Sequence, residues 1–321
     1  MYYSDAQINH YSKPLSDSEK KECESTISVF ETILQKYGFS VERKNFNVYD
    51  YEDLNHRFHV KKGNLEFTIF LQGSYGNGTC VRQDSDVDVA IICESTFRCQ
   101  YPNGRSGKDY GYISSDFDIL EFKKDFCNFI NNLNNSYYAE NHNKCIFFKG
   151  NQTSRKDMDI VPSLRYKDYS NDLYLNKNNC ISGVLIKTND GKEIINYPEQ
   201  SRINSVEKNK KTAYYYKRIV RILKNIKNDM VEKGIAGIDS VSSYGLECLV
   251  YNVPDFIFNS CNGARSLKGI TIDVVKYLCD NVDNFEEFVE TNDILKIFDN
   301  ISNKLTDYKL LVQKVKFFLE N

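Results

Sequence analysis

The sequence predicts an α+β protein, with a mixed strand-and-helix first half and a helical second half. Three observations carry this expectation. Short runs of β-forming residues bounded by turn residues lie between positions 58 and 161, helical periodicity takes over from about residue 200, and a chain of 321 residues with 41% hydrophobic content can bury a sizeable core. No internal repeat or low-complexity linker separates the halves. We place the join near Tyr197-Pro198, giving segments 1–198 and 199–321.

The first strong element is "LSDSEKKECESTISVFETILQKYGF". A capping box from Ser16 to Glu19 opens it, and Ile27, Phe30, Ile33, Leu34 and Tyr37 recur at helical spacing before Gly38. "FHVKKGNLEFTIFLQGS" follows, with Phe58 and Val60 alternating with polar residues, a turn at Lys62-Gly63-Asn64, and β-formers from Leu65 to Leu71. A third strand is expected at 86–93, "DVDVAIIC". Residues 101–115 contain Gly104, Gly107 and Gly111 and read either as a lid or as a plain surface loop. A helix at about 116–133 comes next, then a strand in "NKCIFFKG". Met158 to Val161 forms a further strand ended by Pro162. Helices are expected at 204–232, 241–252, 270–281 and 303–320.

Composition narrows the classes of function. No apolar run reaches the ~18 residues of a membrane span, and the N-terminus lacks the basic, apolar and small-residue succession of a secretory signal, so a cytoplasmic protein is expected. The ten cysteines form no C-x-x-C pair and no Cys/His cluster at zinc spacing, which points to reduced thiols. A formal net charge of −2 argues against an extensive double-stranded nucleic-acid footprint. His56 and His59 lie near a strand start without further ligands at zinc spacing, and none of the four histidines falls in a catalytic pattern.

The chemistry concentrates in "GSYGNGTCVRQDSDVDVAI". Side chains at i and i+2 of a strand share a face, so Asp86 and Asp88 would project together. Adjacent carboxylates repel unless a cation lies between them, and oxygen-only donors suit Mg²⁺ or Mn²⁺ rather than zinc. Asp84 has the same parity but falls in the loop. Gly73 and Ser74 stand at a strand end, where glycine lets backbone N–H groups close on a phosphate and the hydroxyl adds a donor. A third carboxylate fits at Asp159, with Asp157 as a same-face alternative. Three carboxylates around two such ions suit nucleotidyl transfer, in which a hydroxyl attacks a nucleoside triphosphate and pyrophosphate leaves. Arg82 would serve as a phosphate contact or a loop cation.

Gly-Ser, a spacer, Asp-x-Asp and a later strand Asp resemble the DNA polymerase β-like nucleotidyltransferases. "MDIVPSLRY", "ISGVLIKTNDGKEIINYPEQ", "EKNKKTAYYYKRIVRILKNIK" and "SSYGLECLVYNVP", in that order, are similar to the bacterial cGAS/DncV-like nucleotidyltransferases over roughly residues 15 to 255. The resemblance implies a polymerase β-like core with a C-terminal helical lobe and an active site in the cleft between them. It implies that Asp86, Asp88 and Asp159 bind two metal ions, that Gly73 and Ser74 contact the donor triphosphate, that Lys217 reaches a terminal phosphate, that Ser243 hydrogen-bonds the triphosphate and that Tyr244 stacks on a base. Lys217, Arg221 and Lys224 fall at i, i+4 and i+7, one helix face, which as sequence alone reads as a solvated basic face. Tyr244 alone reads as core. The implied activity joins nucleoside triphosphates into a cyclic di- or trinucleotide, a second messenger for a separate effector protein in antiphage (CBASS) signalling, by a monomer with an accessory regulator as a further partner and no membrane association. Two rivals remain: a nucleotidyltransferase acting on another acceptor, such as an antibiotic or an RNA end, and a nucleotide-binding regulator without activity.

Overall fold

The computed structural model describes residues 2–44, 57–82, 86–133, 136–151, 153–259, 265–299 and 304–320; His56 and Asp84 lie outside them. Its strands are β1 (Ser40–Lys44), β2 (Arg57–Lys62), β3 (Leu65–Gln72), β4 (Val87–Gln100), β5 (Ala139–Asn141), β6 (Ile146–Phe148), β7 (Met158–Asp168), β8 (Ile181–Lys187) and β9 (Glu193–Asn196). Its helices are α1 (Asp5–Tyr11), α2 (Asp17–Lys36), α3 (Gly73–Gly76), α4 (Ile119–Leu133), α5 (Pro198–Lys211), α6 (Tyr215–Glu232), α7 (Ser243–Tyr251), α8 (Asp255–Asn259), α9 (Leu267–Asp280) and α10 (Leu305–Glu320).

The chain forms two compact units. Asp17–Gly76 and Asp86–Pro198 make a sheet unit, and Met1–Ser16, Asn77–Ser85 and Glu199–Asn321 make a helical one. The sequence expectation kept 1–16 and 77–85 with the first half. The structure assigns them to the helices because Tyr3 and Ile8 are buried in the helical core and Asn77 and Thr79 bond to Glu247 of α7.

Among the described residues the sheet runs β1-β2-β3-β4-β7-β6-β5, with β8 on β7 and β9 on β8. Only the central β4–β7 pair of these is parallel. Alternation along the strands sends Phe67, Ile69, Val89, Ile91 and Ile160, all buried, to one face. There Phe67 stacks on Phe122 of α4 with ring centroids 5.1 Å apart, and Phe30 of α2 meets Phe126 of α4 edge-on at 6.4 Å. The opposite face carries Phe70, Ala90, Ile92 and Val184 as a small apolar cluster. It also carries, by the same pleat, Asp88 and Asp159.

Several boundaries differ from expectation. The strand expected at 86–93 begins at Val87 and continues to Gln100, its pairing with β7 shifted between Cys93 and Phe97. The segment 101–115 is anchored: Tyr110 is buried, its ring lies 4.6 Å from that of Tyr169, and its hydroxyl donates to the buried Asp172 at 2.7 Å. The single helix expected at 204–232 is two, broken where Ala213 and Tyr214 take left-handed φ of 48° and 66°. No glycine or proline marks that break. In the helical unit α6 lies at the centre, its residues Ile219, Val220, Ile222, Leu223 and Ile226 buried among side chains from α1, α7, α9 and α10. No helix among the described residues is long and apolar enough to cross a membrane.

Candidate active site

In the sheet unit, the site is built on the parallel pair β4–β7. Asp88 and Asp159 are direct register partners, so their carboxylates stand side by side on the face away from α2 and α4. At about 5 Å and an effective dielectric near 20, two such charges would repel by ~3 kcal/mol, less where water reaches them, as it does for these half-buried residues. On the other side, β3 pairs Gln72 with Asp88, which brings the following Gly73 against the same carboxylate. Gly73 has φ +64°, and a Cβ at this position would fall on Asp88 Oδ2. Only glycine permits both the backbone conformation and the approach. Ser74 follows in the first turn of α3, half-buried.

Asp86 differs from expectation. The strand starts one residue later, so the pleat does not fix its side chain beside that of Asp88, and it is exposed. Asp157, the alternative to Asp159, is committed elsewhere: its Oδ1 accepts the Gly150 N–H at 2.6 Å, and its carbonyl accepts Val87 N–H at 3.0 Å. The geometry selects Asp159. Among the described residues no three His, Cys, Asp or Glu side chains are gathered as a closed metal-binding group. The carboxylates of Asp88 and Asp159, with Asp86 just ahead of the strand, nevertheless offer the all-oxygen donor chemistry of a hard divalent cation.

Sequence reading missed Cys145. It immediately precedes β6, and its thiol hydrogen-bonds Asp159; burial first, then the neighbouring Asp159 charge, pushes its pKa up to about 12. Nothing in "NKCIFF" marks this, because the contact comes from the β6–β7 pairing, in which Phe147 stands opposite Asp159. Among the described residues all nine cysteines are free thiols.

In the helical unit, Ser243 and Tyr244 open α7, whose N-cap Ser242 accepts the Gly245 N–H at 2.9 Å. Ser243 is exposed there. Tyr244 packs on the helical core, while its hydroxyl lies 3.1 Å from Glu290 Oε2, 3.2 Å from Thr291 Oγ1 and 3.2 Å from Ser201 Oγ. Three hydroxyl contacts therefore fix the direction of a ring that stays half-buried. Burial drives the Glu290 carboxyl above its ordinary pKa, opposed by the Tyr244 and Asn292 hydrogen bonds.

The solvated basic face read from Lys217, Arg221 and Lys224 is corrected by the structure. All three are buried, because α6 is the central helix of its unit and this face turns inward. Arg82 is likewise engaged, its Nε donating to the Pro14 carbonyl at 3.0 Å. His59 faces Thr68 Oγ1 at 3.4 Å, a cross-strand contact.

Residues 203–320 match the family model described as the cGAS/DncV-like nucleotidyltransferase C-terminal helical domain. The chain is 36% identical over 329 residues to the cyclic GMP-AMP synthase CdnE03 of Staphylococcus schleiferi, covering 100% of this chain and 98% of that one. It is 32% identical over 310 residues to a cyclic dipurine nucleotide synthase of Elizabethkingia meningoseptica, covering 94% and 93%. Among solved structures, the E. meningoseptica CdnE cyclic dinucleotide synthase with GTP and Apcpp superposes with a TM-score of 0.73 at 28% identity, covering 99% and 100% of the two chains. With this likeness along its whole length, the chain belongs to the cGAS/DncV-like nucleotidyltransferases.

Proposed function

We propose that this protein is a cyclic dinucleotide synthase that joins two nucleoside triphosphates with release of two pyrophosphates. The observation that carries the reading is the in-register pair Asp88–Asp159 with Gly73 closed against it. Whole-chain similarity to relatives named as cyclic GMP-AMP and cyclic dipurine nucleotide synthases supports it. In this reading Asp88 and Asp159, joined by Asp86 from its exposed position, hold two Mg²⁺ or Mn²⁺ ions. Bound there, the metals would acidify the attacking ribose hydroxyl and offset charge on the leaving pyrophosphate.

The chain's own residues do the rest. Gly73 and Ser74 present backbone N–H groups and a hydroxyl to the donor triphosphate, Ser243 adds a second hydroxyl, and Tyr244 offers its oriented ring to a base. In the same reading Asp159 helps to activate the acceptor hydroxyl. The linear product of the first transfer rebinds with its own triphosphate in the donor position, and the second transfer closes the ring. The cyclic product then serves as a diffusible messenger for a separate effector protein in antiphage signalling.

Incubation with all four nucleoside triphosphates and Mg²⁺ or Mn²⁺, followed by phosphatase treatment and mass spectrometry, tests this. The expected result is a phosphatase-resistant cyclic dinucleotide with stoichiometric pyrophosphate, absent with Asp88→Asn. A nucleotide attached to a different acceptor, or wild-type protein indistinguishable from Asp88→Asn, would overturn it.

A further inference from the structure

We propose that Glu247, Lys224 and Arg221 form a buried clamp on residues Asn77–Thr79, and that through this clamp they act as positioning residues for the adjoining Gly73-Ser74 turn. The catalytic half of this inference rests on the function proposed above.

Each of three consecutive residues is held by a charged side chain. Glu247 accepts from Asn77 Nδ2 at 2.9 Å through one carboxylate oxygen and from Thr79 Oγ1 at 2.7 Å through the other. Lys224 Nζ pairs with Glu247 Oε2 at 3.2 Å and donates to the Thr79 carbonyl at 3.3 Å and Thr79 Oγ1 at 3.1 Å. Arg221 donates from Nη1 to the Gly78 carbonyl at 2.6 Å and from Nε to the Ser12 carbonyl at 2.7 Å. Every participating side chain is buried, Glu247 at 1% and Lys224 at 3% exposure.

Stability alone does not account for such an arrangement. Desolvating a lysine and a glutamate is costly, and well-packed apolar residues in the place of a buried ion pair are commonly as stable or more so. What apolar residues cannot do is hold polar side chains and carbonyls of a loop in one arrangement, which a buried hydrogen-bonded network does. The placement of the clamp supplies the reason to hold this loop. Asn77 follows directly on the four-residue turn α3, which begins with Gly73 and Ser74, so little chain remains to absorb a shift of Asn77. Glu247 lies on α7, one turn beyond Ser243 and Tyr244, and Lys224 and Arg221 share α6 with Lys217. The loop is thus tied to α6 and to α7, which carries the proposed nucleotide contacts Ser243 and Tyr244.

The test is the double variant Lys224→Met with Glu247→Leu, beside Thr79→Val, which removes one hydroxyl and keeps the shape. Hydrogen exchange of the peptide spanning residues 77–80, thermal melting and steady-state pyrophosphate release are measured on each. The double variant relieves the desolvation of the ion pair but takes partners from Asn77 Nδ2 and from the Thr79 hydroxyl and carbonyl, so it should melt modestly below the wild-type temperature. Its 77–80 amides should exchange at least about tenfold faster, and kcat/KM should fall by about tenfold or more, chiefly in kcat, since small misplacements of reacting groups are costly. Thr79→Val should show the same pattern at about fivefold, the worth of one hydrogen bond, and decides the matter if the double variant does not fold. Unchanged exchange, or faster exchange with wild-type turnover, would overturn the inference. If wild-type protein makes no cyclic product, the proposed function fails, and the exchange measurement alone upholds or rejects the clamp.

Discussion

Gly73→Ala, set beside a control, separates backbone strain from displacement of the Asp88 carboxylate. At φ +64° any residue other than glycine is destabilised by about 1–2 kcal/mol. The added Cβ would also overlap Asp88 Oδ2 and lie 2.7 Å from its Cγ and 3.0 Å from its Cβ. Rotating the carboxylate cannot relieve contact with the base of the same side chain, so Asp88 must move by roughly an ångström, a displacement that can cost about 100-fold in rate. Gly63→Ala is the control. Gly63 has φ +59° with nothing within 4 Å of a new Cβ, so it carries the strain without the overlap. Gly63→Ala should lose about 1–2 kcal/mol, a shift of several degrees for a unit of this size, and Gly73→Ala at least as much. Only Gly73→Ala should lose about 100-fold in pyrophosphate release. Near-wild-type turnover in Gly73→Ala, or an equal loss in Gly63→Ala, would refute the argument that this glycine exists to admit the Asp88 carboxylate.

Three further outcomes are expected. Asp88→Asn or Asp159→Asn should abolish cyclic product while leaving the melting temperature level or raised, because each removes one of two facing like charges; a large fall in melting temperature would contradict this. Tyr244→Phe loses the hydroxyl contacts and about 1–2 kcal/mol of stability but keeps nucleotide KM, whereas Tyr244→Ala should raise KM roughly tenfold or more through lost stacking, both read by melting and steady-state kinetics. Glu290 has a folded pKa raised by burial, so its contribution to stability is full below its unfolded value near 4.5 and is lost as pH rises through the folded value. Glu290→Gln should therefore raise the melting temperature at pH 7 relative to its effect at pH 4; a pH-independent difference in melting would count against the assignment.

The strand carboxylates were legible because β alternation is short-range: Asp88, the hairpin at Gly63 and the amphipathic α2 need only their neighbours in sequence. Long-range pairing was not. Register between β4 and β7 selects Asp159 over Asp157, since it is the partner of Asp88 and since Asp157 caps the Gly150 turn. Cys145 beside Asp159 and the inward turn of the α6 basic face depend on the same kind of tertiary contact. The α5–α6 break is a different case, a left-handed pair at Ala213-Tyr214 with Tyr214 N–H on the Asn209 carbonyl at 2.7 Å and Lys217 N–H on Asn209 Oδ1 at 3.1 Å. Asn209 and Thr212, whose Oγ1 accepts the Tyr216 N–H at 3.2 Å, organise that corner, and both residue types are too common to announce it. The helix–strand division survives because it rests on periodicity summed over many residues, whereas the break rests on a few local hydrogen bonds.

The spacer in the Gly-Ser to Asp-x-Asp signature has a physical content of its own. β3 and β4 are antiparallel neighbours, and Gln72 and Asp88 are register partners at their shared end. A hairpin loop of two to five residues, as is common, would join such strands. The chain instead uses residues 73–86. The first four form α3, and the next three carry side chains and carbonyls bonded to Glu247, Lys224 and Arg221. Residues so engaged are not slack. The spacer is therefore a hairpin connection whose residues 77–79 are bonded into the helical unit before the chain returns to the neighbouring strand. The stretch between the Gly-Ser pair and Asp-x-Asp is thus not filler, because Asn77, Gly78 and Thr79 each bond a buried charged side chain of the helical unit.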